Sequence, residues 1–128
     1  MKQPFEIVID AQRPAALARF WAQALPSYKV RHYDDDEIAR LAKLGLTPET
    51  DTSVAIDGDG PTIWFQKSDQ PTTSRNRIHL DLMNVPKEEE RDRLAALGGR
   101  AQMVRDDHIV MHDPEGNQFC LFDPKEAQ

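Results

Sequence analysis

Phe5 to Asp10 alternates: Phe5, Ile7 and Ile9 share one side of an extended chain, and Glu6, Val8 and Asp10 share the other. This predicts a half-buried strand. Pro14 then stands where a first helical residue belongs, and Leu17, Phe20, Trp21 and Leu25 recur at helical spacing, so an amphipathic helix follows and packs its apolar stripe on the strand. Ser27 to Tyr33 reads as a second strand. Asp34 to Glu37 introduces Ile38, Leu41 and Leu44, with Gly45 as the stop of a second, shorter helix. Ser53 to Ile56 and Thr62 to Lys67 flank the turn-rich Asp57 to Pro61, whose Asp-Gly pairs suit positive φ, so the three pieces predict a hairpin.

After a polar connector, Ser68 to Arg75, the pattern restarts. Ile78, Leu80 and Leu82 alternate with His79, Asp81 and Met83, and Pro86 leads through the charged run Lys87 to Arg93 into Leu94, Leu97 and Gly98, a helix with a solvated outer face. Ala101 to Arg105, His108 to His112 and Gln118 to Phe122 then read as strands, the last two joined by the turn Asp113 to Asn117. The chain is therefore two related halves, each strand, helix and three strands, with an extra helix in the first. The fold class is α+β. Because a one-residue slip sends every strand side chain to the opposite face, the halves are aligned by parity, Glu6 with His79. Parity puts Glu6, Val8, Asp10, Trp64, Gln66, His79, Asp81, Met83, Gln118 and Cys120 on the faces turned away from the helices, a mixture of polar and apolar groups suited to a small-molecule pocket.

A length of 128 residues suits one domain, 1–128, with a first module of about 1–68 and a second of about 76–124. Sixteen basic residues against 22 acidic ones, net charge −6 with no local Lys/Arg cluster, oppose phosphate-backbone binding, so no nucleic-acid partner is expected. Cys120 is the only cysteine, which excludes a disulfide within the chain and suits a reducing compartment. With no apolar run long enough for a leader or a membrane span, the expectation is a cytoplasmic protein with no membrane partner.

DAQRPAALARFWAQAL, RNRIHLDL, LAALGG and HDPEGNQFCLF, in this order, resemble the glyoxalase-like branch of the vicinal oxygen chelate superfamily over nearly the whole chain. The resemblance implies two paired βαβββ modules forming a curved mixed sheet around a cleft, with a small-molecule ligand as partner, and assembly as a homodimer. In metal-using members four side chains meet on the cleft floor; position by position these are Glu6, Gln66, His79 and Gln118. Gln118 departs from the pattern, which commonly has Glu there, and Gln66 also lacks a carboxylate.

Two functions follow. One is a module that binds a small organic molecule with weak or no metal dependence, lined by Val8, Asp10, Trp64, Asp81, Met83 and Cys120. The other is an enzyme in which a divalent metal (Zn, Ni, Mn, Fe or Mg) on the four candidates polarises an oxygen-bearing substrate for lyase, isomerase or ring-opening chemistry. One negative charge and two amides are a poor ligand set, and losing Glu at position 118 removes a potential base, so the balance falls to binding. No catalytic residue is assigned. His79 is read as a cleft residue rather than a structural histidine, and Trp64 as a stacking platform rather than core. His108 and His112 are expected on the polar face of a strand, Cys120 as an inert thiol, Asp34 to Glu37 as helix-capping groups rather than a cation site, and Arg75 and Arg77 as linker rather than anion ligands.

Overall fold

The computed structural model describes residues 6–69 and 80–124. The chain divides into two units, Met1–Pro71 and Thr72–Gln128. In the first, strand β1 (Ile7–Ala11) leads into helix α1 (Pro14–Ala24), which starts with Pro14 in its first turn, where the missing N–H costs nothing. Leu17, Ala18, Phe20, Trp21 and Ala24 form its buried stripe. Phe20 and Trp21 meet edge to face at 5.4 Å between ring centres. Beneath them lie Val54, Ile56, Ile63 and Phe65, all buried, from β3 (Ser53–Asp57) and β4 (Ile63–Lys67).

Strand β2 (Lys29–Val30) is far shorter than the seven residues that alternation suggests. Lys29 and Val30 pair with Asp57 and Ile56, and Arg31 N–H still donates to Ala55 O at 2.9 Å. The chain then leaves the sheet, because Asp34 is needed as the cap of α2 (Asp35–Lys43): its carboxylate accepts from Glu37 N–H at 2.8 Å. The acidic run is thus a capping device, with Arg40 and Lys43 at the opposite end of the helix dipole. Of the expected stripe only Leu41 is buried; Ile38 and Leu44 are exposed. Gly45 ends the helix at φ 75°.

The hairpin forms as expected, but its glycines serve a different purpose. Neither Gly58 nor Gly60 has positive φ. A Cβ on Gly58 would lie 2.6 Å from Cδ1 of Tyr28, and one on Gly60 would lie 2.6 Å from its hydroxyl. Tyr28 packs across the turn and donates to Pro61 O at 2.7 Å, so close approach, not backbone handedness, demands glycine.

The second unit repeats the order: β5 (Leu80–Leu82), α3 (Lys87–Ala96), β6 (Arg100–Val104), β7 (His108–His112) and β8 (Gln118–Phe122). Helix α3 has little amphipathic character and is anchored by fully buried Leu94. Lys87, expected on a solvated face, is instead buried at 6% exposure. Its Nζ lies 2.6 Å from Asp123 Oδ2 and its N–H donates to Asp123 Oδ1 at 2.9 Å. Asp123 thereby performs the capping that Pro86, at the N-cap, cannot. The turn at 113–117 closes on Asp113, whose side chain accepts from the N–H groups of Glu115 and Asn117 and from Asn117 Nδ2. Gly116 sits at φ 90°.

Both sheets have the same topology, β1-β4-β3-β2 and β5-β8-β7-β6, with the first strand parallel to the last and the other pairs antiparallel. Each unit is therefore a βαβββ module, with α2 inserted in the first, and each packs one sheet face under a helix while leaving the other free of helices.

Candidate functional site

The helix-free face of the first sheet follows from register. Val8 pairs with Trp64 and Asp10 with Gln66, and Trp64 pairs across β3 with Ala55. Val8 is 57% exposed, Asp10 and Gln66 are exposed, and Trp64 is half-buried. Trp64 is held at two points. Its Nε1–H donates to Glu6 Oε2 at 3.0 Å, and the Arg31 guanidinium carbon lies 5.0 Å from its ring centre. Arg31 in turn donates from Nε and Nη2 to the two carboxylate oxygens of Asp57, both at 2.9 Å, and Thr62 Oγ1–H donates to Asp57 Oδ1 at 2.8 Å. The Arg31 guanidinium, and after it the Thr62 hydroxyl, hold the Asp57 carboxyl below the usual carboxylate range against the opposing pull of desolvation.

This chain from Thr62 through Asp57 and Arg31 to Trp64 and Glu6 escapes the sequence reading, which leaves Arg31 inside a strand and Asp57 inside a turn. The only signal available is that Lys29 and Arg31 share a parity on one predicted strand.

On the second sheet the helix-free face carries Asp81 paired with Cys120, Cys120 with Val110, and Gln118 with His112. Asp81 is exposed, Met83 is 51% exposed, Gln118 is half-buried and Cys120 is buried. Burial raises the Cys120 thiol above its ordinary range, and the neighbouring Asp81 carboxylate adds to this. His108 stacks on Phe122 with ring centres 5.2 Å apart and its Nδ1 lies 2.7 Å from Asp107 Oδ1. His112 Nε2 is buried and has no hydrogen-bond partner among the described residues. Both histidines lie with Val110 on one face of β7, opposite buried Ile109 and Met111. His79 lies outside the described residues, as do Arg75 and Arg77.

Within the first sheet the two metal candidates Glu6 and Gln66 do not face each other. Ile7 pairs with Ile63, so Glu6 stands opposite Thr62, whereas Gln66 stands opposite Asp10. The four-residue offset along the strands is about 13 Å. One oxygen of Glu6 is already engaged by Trp64, and Gln118 brings no charge. Among the described residues no three His, Cys, Asp or Glu side chains form a metal-binding group. Glu6 and Gln66, so offset and with one Glu6 oxygen taken by Trp64, do not by themselves form a divalent-ion site.

Two βαβββ units of identical strand order, each with one helix-free face of mixed polarity, define the class of fold. The sequence profile of the glyoxalase-like domain matches residues 6–122, and the chain belongs to that family. Among solved structures it resembles the fosfomycin resistance protein FosX from Listeria monocytogenes at 13% identity, with a TM-score of 0.64 over 95% of this chain and 91% of the other. A glyoxalase/bleomycin resistance protein/dioxygenase family enzyme from Burkholderia phytofirmans matches at 16% identity and TM-score 0.62, covering 92% of this chain and 95% of that one. A glyoxalase-related enzyme from Fulvimarina pelagi matches at 14% and 0.59, covering 94% and 88%. At such identities the likeness concerns the fold. No curated protein matches the chain. No helix among the described residues is long and apolar enough to cross a membrane.

Proposed function

We propose that this protein binds a small organic molecule on the helix-free faces of its sheets and needs no metal ion to do so. The observation that carries the reading is Trp64: an aromatic surface, fixed by Glu6 at its indole nitrogen and by Arg31 over its ring, beside exposed Val8, Asp10 and Gln66. A contact surface with few but well-placed polar groups is what small-molecule recognition requires. Glu6 is the one carboxylate of the four metal candidates, and its engagement with Trp64 supports the metal-independent reading. Gln118, on the helix-free face of the second sheet, and His79, a candidate from the sequence alone, complete the candidate set.

The test begins with protein purified without chelator or nickel. Native mass spectrometry and elemental analysis are run on it, and thermal shift is measured with Zn, Ni, Mn, Fe and Mg salts and with fosfomycin and bleomycin, the compounds named for structural relatives. The expected result is a co-purifying organic compound, or stabilisation by an organic probe, with substoichiometric metal. A stoichiometric ion that disappears in His79→Ala refutes metal independence and transfers the site to metal-assisted lyase, isomerase or ring-opening chemistry.

A further inference from the structure

Arg31 is oriented as though for a third partner. Asp57 grips the guanidinium along its Nε–Nη2 edge, with both contacts at 2.9 Å, and the Trp64 ring lies beneath at 5.0 Å. Nη1 makes no hydrogen bond among the described residues, and the side chain is 43% exposed. Lys29, cross-strand from Asp57 and therefore on the same face, is exposed and has no polar partner among the described residues. Asp57 accepts from Arg31 and Thr62, and one oxygen of Glu6 accepts from Trp64, while the Glu6 and Glu37 carboxylates lie close enough to help hold Arg31 in its charged form. Arg31 Nη1 is left over as a donor on a guanidinium fixed by Asp57 beside the Trp64 ring, and the Lys29 ammonium adds positive charge on the same face.

We propose that Arg31 and Trp64 form a recognition subsite for a flat anionic molecule, an aromatic or conjugated carboxylate, whose carboxylate takes Nη1 of Arg31 while its ring packs against Trp64 and Val8. The subsite deepens the small-molecule reading and rests on it. A guanidinium held in a fixed plane meets a carboxylate with little loss of side-chain freedom, which a lysine ammonium does not reproduce. Asp57 and Glu6 are positioning residues: the first sets the plane of Arg31, the second the plane of Trp64. Asp57 also offsets part of the Arg31 charge, so the subsite selects among ligands more than it adds affinity.

The experiment is an NMR titration of the full chain with benzoate and, separately, with neutral benzyl alcohol, following the indole N–H signals of its two tryptophans. Benzoate is expected to move the Trp64 signal and not that of buried Trp21, and to bind about ten-fold more tightly than benzyl alcohol, the worth of one charge-assisted hydrogen bond. Arg31→Gln is expected to bring the two affinities together, and Arg31→Lys, which keeps the charge without the fork, to leave a reduced preference. The same spectra report whether each variant is folded, and if Arg31→Gln is not, the lysine variant decides. Equal wild-type affinities, a preference undiminished in the folded variants, or no movement of the Trp64 signal with either probe overturns the subsite. A co-purifying compound found by native mass spectrometry keeps the broader binding reading alive in that event; its absence, with no response to any organic probe, removes both.

Discussion

Replacing Asp113 by alanine tests whether the 113–117 turn is a structural keystone. Asp113 is fully buried, and within the turn its side chain accepts from Glu115 N–H at 2.9 Å, Asn117 N–H at 2.9 Å and Asn117 Nδ2–H at 2.8 Å. The two backbone bonds across the turn, Asp113 N–H to Asn117 O and Gly116 N–H to Asp113 O, survive any substitution that keeps the main chain in place. At about 1.5 kcal/mol for each bond to the carboxylate, losing these three turn bonds costs about 4.5 kcal/mol in Asp113→Ala. Asp113→Asn retains a neutral carbonyl oxygen for the two backbone donors, at about 1 kcal/mol each, and forfeits the third bond, a loss of about 2.5 kcal/mol. For a chain of this length 1 kcal/mol corresponds to about 4 °C, giving expected drops in Tm of about 18 °C and about 10 °C. Differential scanning calorimetry measures both, and urea unfolding with an unchanged slope verifies that stability alone has moved. An alanine variant within about 3 °C of wild type, or an asparagine variant as damaged as the alanine one, refutes the bond-by-bond account.

Two further outcomes follow from the titrating groups. Cys120 is buried and its thiol raised, so at pH 8 the native protein should react with a disulfide reagent more slowly than the guanidine-unfolded chain, by roughly an order of magnitude; equal rates would mean an accessible thiolate. Tyr33 is raised by burial, and next by donating to Asp51 Oδ2 at 2.6 Å, and Tyr28 is raised chiefly by burial. A tyrosine that holds its proton more tightly when folded supplies stability that is complete below the unfolded value of about 10 and is lost as pH climbs beyond it. Absorbance at 295 nm should show both phenols ionising later in the native than in the unfolded protein, and the urea midpoint should fall above pH 10; a native phenol titrating with the unfolded one contradicts this.

Much of the fold was legible because alternation and helical spacing report directly on which face is buried. The βαβββ order of both halves, the parity of Val8, Trp64 and Gln66, and the capping role of Asp34 all follow from that logic. What alternation cannot supply is the longitudinal register of two parallel strands, since sliding one by two residues keeps every side chain on its face. Hence Glu6 and Gln66, equivalent by parity, stand opposite Thr62 and Asp10 instead of each other. Long-range pairings are equally silent: nothing local links Arg31 to Asp57, Lys87 to Asp123, or Tyr28 to Gly58 and Gly60. The expectation for Ser27 to Tyr33 overshot because a strand continues only while a partner is alongside, and α2 draws the chain away after Arg31.

The second sheet ends on β6, exposed along its whole length, with Met103 and Val104 presenting apolar surface to solvent. An open, hydrophobic edge of this kind invites a neighbouring chain to add itself as a fifth strand. The pairing between β6 and β7 is interrupted, however, between Ala101 and Met103, where Gln102 is the extra residue. A bulge there bends the edge out of plane and spoils the regular row of donors and acceptors that a passing strand would need. Deleting Gln102 is therefore expected to straighten the edge and favour edge-to-edge aggregation, read by light scattering, with the core unchanged.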